Sequence, residues 1–241
     1  MALTHLFFDV HDVLIDNALN IPCYATGIGR VLVERYGGSE DAWAAANRKV
    51  IADWDSYYTD LNLSGDEGMH DYFEGMFRTT RALFRLTGTP EPPFEELWAL
   101  TLELPGLATK GCDALYPDAR DALSRLRDLG LTLGVVSGAP ENQIRTSLEP
   151  VIDLFTGLIS GSDTADRFDK DEERYLAVAL RSGVPRDSCL IVDDKADPTA
   201  AARRAGLLSA QCDRARRVQR SPAHYLIRNL VELMPICEAL I

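Results

Sequence analysis

Short, uninterrupted apolar runs punctuate this chain, and they end in polar residues. The first, in LFFDVHDVLIDN (Leu6 to Asn17), stops abruptly at Asp9, with His11 between that acid and Asp12. Comparable runs occupy 131–136, 155–160, 189–193 and 207–211. Continuous apolar runs of this length, bounded by turn residues, fit strands buried on both faces of a sheet. Between them the period changes to helical. Ala122, Leu123, Leu126 and Leu129 share one face, Pro117 stands at the start and Gly130 supplies the stop. Further helices are expected from about Pro140, over 172–180 and over 199–204. Strands alternating with helices predict an α/β fold, a Rossmann-like parallel sheet covered on both faces.

Residues 26–104 have another character. Apolar positions recur at helical spacing over 28–36, 42–54, 69–86 and 94–103, separated by the turn-rich joints 36–40 (YGGSE), 63–68 (LSGDEG) and 87–94 (TGTPEPPF). Nothing there reads as a strand. The expected organisation is a sheet-forming core domain made of 1–16 and 109–241, with a helical domain, 17–108, inserted between its first strand and the rest.

Parallel sheets bind ligands at the carboxyl ends of their strands. Asp9 ends the first run, Ser137 the second, and Asp193 with Asp194 the fourth, so acids and a hydroxyl converge on one edge. Composition narrows the chemistry. Among 241 residues, 37 acids against 25 Lys and Arg give a formal charge of −12, which opposes a broad phosphate-backbone footprint and nucleic-acid binding. The amino terminus lacks the basic region of a signal peptide and no apolar stretch reaches membrane-span length, so a cytoplasmic protein without membrane contact is expected. Five scattered cysteines (Cys23, Cys112, Cys189, Cys212, Cys237) without a C-x-x-C pair predict reduced core thiols, neither a disulfide framework nor a zinc site. Oligomeric state has no signature here.

Four segments together resemble the haloacid dehalogenase superfamily, in its phosphatase-like branch of phosphoglycolate phosphatase and beta-phosphoglucomutase type. FDVHDVLIDN (Phe8 to Asn17) is similar to its first motif, F-D-x-D-G-V/T-L-x-D-S. VVSG (Val135 to Gly138) is similar to the second, DKDEERYL (Asp169 to Leu176) to the third, and IVDDKAD (Ile191 to Asp197) to the fourth. YPDARDALSRL (Tyr116 to Leu126) matches the helix before the second motif, and the helical block stands where this branch inserts its cap. The resemblance implies a Mg2+-dependent phosphatase of a small phosphorylated metabolite, working through an aspartyl phosphate. Asp9 would be the nucleophile, Ser137, Gly138 and Lys170 would hold the phosphoryl group, and Asp9, Asp194, the backbone carbonyl of His11 and Asp193 would hold the metal.

Those residue types suit the reaction. Phosphoryl transfer needs an in-line nucleophile, cations on the transferring oxygens and donors around them. Magnesium takes carboxylates, carbonyls and water. Three departures modify the expectation. The acid two positions after the nucleophile is His11, whose imidazole titrates near neutrality and can act as acid or base. Asp12 replaces the usual glycine, and K-P-x-P becomes Lys170-Asp171-Glu172-Glu173, which loses two prolines. The alternatives are a catalytically silent protein that binds a phosphorylated ligand or a partner, and, less favoured, a dehalogenase or a phosphonatase whose cap lysine would be Lys49. Asp16 and Asp197 are expected to cap helices and Trp54, Tyr57 and Tyr58 to pack; Arg30 and Arg35 lie on the first helix of the block, and neither is assigned to a substrate anion. His5, His70 and His224 show no ligand spacing.

Overall fold

Residues 2–64, 68–165 and 167–241 are described by a computed structural model. The apolar runs form one six-stranded sheet: β1 (His5–Phe8), β2 (Thr132–Val136), β3 (Ile159–Ser160), β4 (Cys189–Asp193), β5 (Leu208–Cys212) and β6 (Tyr225–Ile227), in the order β3-β2-β1-β4-β5-β6. All pairings are parallel. Successive side chains of β1 divide between the two faces: Leu6 and Phe8 join one apolar cluster, with Leu123, Leu126, Leu133 and Val192, and Phe7 joins the other, with Tyr175, Val178 and Ile191. Burial on both sides is why these runs are apolar throughout. The third run pairs only over its last two residues, and β6 was not predicted.

The helical block consists of α1 (Asn17–Tyr36), α2 (Glu40–Ala52), α3 (Gly68–Thr87) and α4 (Phe94–Thr109). It encloses its own apolar cluster, with Leu32, Trp43, Phe84, Leu97 and Leu100 at its centre. Residues 65–67 of the predicted joint over 63–68 lie outside the described residues. The sheet is flanked by α5 (Ala119–Asp128), α6 (Glu141–Ser147), α7 (Glu172–Ser182), α8 (Ala196–Arg204) and α9 (Leu233–Glu238). Among the described residues no helix is long and apolar enough to cross a membrane.

Three expectations are settled by local geometry. Asp16 does cap α1, accepting from the Ala18 N–H at 2.8 Å. Asp197 does not cap α8. The helix starts at Ala196, about a turn earlier than its apolar pattern shows, so Asp197 lies within the first turn and Lys195 holds the cap position.

Cys23 and Cys112 are not reduced thiols. They form a disulfide, with Cα atoms 5.8 Å apart, linking α1 to the segment that leaves α4. The backbones of α1 and α4 meet closely here. A Cβ on Gly27 would stand 1.8 Å from the Ala108 carbonyl oxygen, so only glycine fits. Cys189, Cys212 and Cys237 are free and buried, as expected.

Candidate active site

Sheet order makes neighbours of the three strands whose ends carry the polar residues, since β1 lies between β2 and β4. The Asp9 N–H donates to the Val192 carbonyl at 2.8 Å and the Ser137 N–H to the Ser160 carbonyl at 3.0 Å, so the ladder continues one residue past each strand. Side chains at these positions inherit the rigidity of the sheet. Asp9, Asp193 and Asp194 each place a carboxylate oxygen within 4.8 Å of the others.

Lys170 reaches this cluster from the loop before α7. Its Nζ lies 3.1 Å from Asp9 Oδ2 and 2.5 Å from Asp193 Oδ2. The loop has no prolines to stiffen it, but other bonds fix it. Asp171 caps α7, accepting from the Arg174 N–H at 2.9 Å, and the Arg174 guanidinium donates to the Phe168 carbonyl at 2.6 Å. The same guanidinium, 2% exposed, donates to the Ser137 carbonyl at 2.8 Å. Arg174 thus ties the second motif to the third, a role with no sequence signal because arginines in amphipathic helices are usually solvated.

Burial dominates the electrostatics. It raises the Asp194 carboxyl, with the charges of Asp193 and Asp9 adding to the effect, up to about 7. For Asp9 burial acts the same way, but Lys170 and His11 outweigh it and hold this carboxyl below its usual range. Burial pushes the His11 imidazole down, against the opposing pull of Asp9 and Asp12. Asp12 occupies the left-handed region at φ 57°, where the usual glycine would sit without strain. Its carboxylate accepts from Asn17 Nδ2 at 2.8 Å and from the Asn17 N–H at 3.3 Å, which anchors the negative charge at the start of α1.

A cavity of about 450 Å³ lies over these groups. Asp9, His11, Asp12, Ser137, Gly138, Lys170 and Asp194 line it from the sheet side, and Lys195 adds a second ammonium. Trp54 and Tyr72 line it from the helical block. The expected packing role holds for Tyr58, 9% exposed, but Trp54 is 42% exposed and faces the cavity. Arg30 and Arg35 do not line it. Arg30 donates to the Lys110 carbonyl and Arg35 pairs with Glu103. Tyr72 also fastens the block to the core: it stacks on Phe168 with centroids 4.7 Å apart and its hydroxyl accepts from Ser162 Oγ at 2.7 Å.

The donor set fits a hard divalent cation. Three carboxylates crowd together, one ammonium bridges only two of them, Asp9 and Asp193, and Asp9 Oδ1 is buried with no hydrogen-bond partner among the described residues. Oxygen ligands of this kind are those magnesium prefers.

The chain is similar to the phosphoglycolate phosphatase of Pseudomonas putida, with 25% identity over 237 residues, 96% of this chain and 79% of that one. Among solved structures, the HAD-hydrolase YfnB from Bacillus subtilis bound to magnesium matches with a TM-score of 0.65 at 19% identity, over 98% of this chain and 99% of that one. The L-2-haloacid dehalogenase RSc1362 matches with a TM-score of 0.64 at 17% identity, over 99% of this chain and 100% of that one. At such identities the structural matches establish the shared fold. The model of the haloacid dehalogenase-like hydrolase family matches residues 3–206, and the chain belongs to that family.

Proposed function

We propose that this protein is a magnesium-dependent phosphatase of a small phosphorylated metabolite, with Asp9 as nucleophile and the helical block 17–108 as a cap over the site. The observation that carries this reading is the pairing of Lys170 with both Asp9 and Asp193, with Asp9 Oδ1 left unpartnered among the described residues. That arrangement orients a carboxylate for attack and sets a cation beside the place where phosphoryl oxygens would lie. Similarity to a phosphoglycolate phosphatase supports the reaction class.

In this mechanism Asp9 attacks phosphorus, the bond to the ester oxygen breaks, and that oxygen leaves with the electron pair and takes a proton from His11. Water then attacks the aspartyl phosphate, giving its proton to His11, and the acyl phosphate bond breaks to release inorganic phosphate and Asp9. Ser137, the backbone at Gly138 and Lys170 hold the phosphoryl oxygens throughout. Asp9, Asp194, the His11 carbonyl and Asp193 would hold Mg2+, which supplies charge neutralisation at those oxygens. The excess of acids over bases weighs against a nucleic-acid substrate.

A second reading, ligand binding without turnover, is favoured by one observation: burial keeps His11 poorly protonated, which weakens it as an acid. Phosphate release from aryl, sugar and acid phosphates, with magnesium or with chelator, separates the two. Turnover that needs magnesium and disappears in Asp9→Asn supports the enzyme. Appreciable activity in Asp9→Asn would overturn the assignment of the nucleophile.

A further inference from the structure

Trp54 and Tyr72 form a wall common to two cavities. Behind them, inside the helical block, lies a second cavity of about 100 Å³, and Trp54, Tyr72, Pro140 and Gln143 belong to the linings of both. The inner wall is apolar, with Val50 of α2, Met76 and Leu83 of α3 and Leu104 of α4. Polar side chains interrupt it, Tyr24 and Gln143 among them, but of the lining residues Asn47 alone has a buried polar atom without a hydrogen bond among the described residues. Asn47, 5% exposed, lines the inner cavity with its Oδ1 buried and unpartnered among the described residues. The nearby threonines differ, since Thr79, Thr80 and Thr101 all donate to carbonyls of their own helices. An amide oxygen left without a donor in an apolar chamber costs stability unless something brings one.

Charge limits what can enter. Among the described residues no cationic side chain lines the inner cavity, and the lysines lining the outer one are Lys170, which pairs with the acid cluster, and Lys195. A carboxylate carried on the far end of a substrate would reach a chamber that cannot neutralise it. Size limits it further, because a cavity that admits benzene measures roughly 150 Å³.

We infer that the inner cavity is the specificity compartment of this site, and that it takes the uncharged, compact branched alkyl part of a phosphomonoester bearing one hydrogen-bond donor for Asn47. The inference rests on the phosphatase reading above and gives its substrate a chemical class. It sets this chain apart from an enzyme for a short anionic phosphoester.

The test uses wild-type protein with magnesium and three alkyl esters of similar leaving ability: ethyl phosphate, isobutyl phosphate and 3-hydroxy-2-methylpropyl phosphate. Acetyl phosphate serves as a control too short to reach the compartment. In kcat/KM, isobutyl should exceed ethyl on the order of tenfold from the added apolar burial. The hydroxyl analogue should gain roughly fivefold more through Asn47. Val50→Phe, which fills the chamber, should remove the isobutyl advantage. Asn47→Leu should invert the order of the isobutyl and hydroxyl esters, so failure of one variant to fold leaves the other to decide.

Equal kcat/KM for the three alkyl esters, in protein that hydrolyses acetyl phosphate, would overturn the compartment and leave the phosphatase reading standing. If neither the esters nor acetyl phosphate is hydrolysed, that reading falls and calorimetric binding of the same esters decides the compartment. An isobutyl-to-ethyl affinity ratio near unity rejects it, and a ratio near tenfold sustains it.

Discussion

The Arg174 guanidinium donates to the main-chain oxygen of Ser137 at 2.8 Å, from α7 to the end of β2. It also donates to the carbonyls of Phe168, Ser160 and Gly161, so one buried cation satisfies acceptors from the segments that carry Ser137 and Lys170. Arg174→Met should lower unfolding free energy by about 2–4 kcal/mol, because those carbonyls lose a charged donor where water cannot replace it. Urea unfolding with an unchanged m-value reads this loss. Activity should fall more than tenfold as Ser137 and Lys170 lose their relative placement. Arg174→Lys should recover little, since an ammonium cannot fork between carbonyls as a guanidinium does. Stability within the ordinary scatter of surface substitutions would contradict this role.

If Asp194 is a ligand in the proposed metal site, it predicts how magnesium binding depends on pH. Burial, with the charges of Asp193 and Asp9, raises its carboxyl from 3.8 to about 7 in the folded protein. A group raised on folding contributes stability that is fully present below its unfolded value and is lost as pH rises through the folded one. In metal-free protein, thermal stability should therefore fall between about pH 4 and pH 8 by more than in Asp194→Asn. Magnesium needs the ionised form, so its thermal upshift should be larger near pH 8 than near pH 6. Calorimetry near pH 6 in buffers of different ionisation enthalpy should detect proton release on binding. Equal upshifts at the two pH values would remove Asp194 from the metal site.

In the proposed mechanism His11 is the group that determines which leaving groups depart readily. With its imidazole pushed down by burial, less of it is protonated near neutrality than for an exposed histidine. At saturating magnesium, alkyl esters, whose leaving oxygen needs a proton, should turn over faster as pH falls. An acyl phosphate, whose carboxylate leaves unaided, should show a flatter profile. His11→Asp should raise the alkyl-to-acyl ratio of kcat by about 10- to 100-fold, the range for a competent general acid. An unchanged ratio would mean that residue 11 carries no proton to the leaving group.

What the sequence revealed and what it hid follow from the same physics. β1 and β4 were legible because strands covered on both faces must be apolar throughout, and Asp9, Ser137 and Asp194 were placed by standing at the ends of such runs, whereas Lys170 was identified only by resemblance to a family motif. β6 is a three-residue edge strand, only one of whose residues is buried, and so carries no apolar run to read. The start of α1 at Asn17 was masked by Pro22, which lies within the helix. Trp54, Tyr72 and Asn47 acquire their positions from how four helices pack. That register depends on tertiary contacts such as the approach of Gly27 to Ala108, which periodicity within one helix does not contain.

The Cys23–Cys112 disulfide was invisible for that reason, its partners being 89 residues apart in the chain. It closes the helical block on itself, joining the segment that enters the block to the segment that leaves it. Closing a loop of this length restricts the unfolded chain by roughly 4–5 kcal/mol in the chain-entropy account. Reduction should therefore lower the Tm by several degrees, and the Cys23→Ser, Cys112→Ser double variant should reproduce that Tm and be insensitive to reductant. Alkylation of the unfolded protein gives a direct count. Three thiols, Cys189, Cys212 and Cys237, should react without reductant, and all five cysteines with it. Five reactive thiols in protein never exposed to reductant would show the pair unbridged as isolated. If instead three react, reduction also releases the tie between the two crossings from core to block, and KM for a branched alkyl phosphate should then change more than KM for acetyl phosphate, because only the former reaches past Trp54.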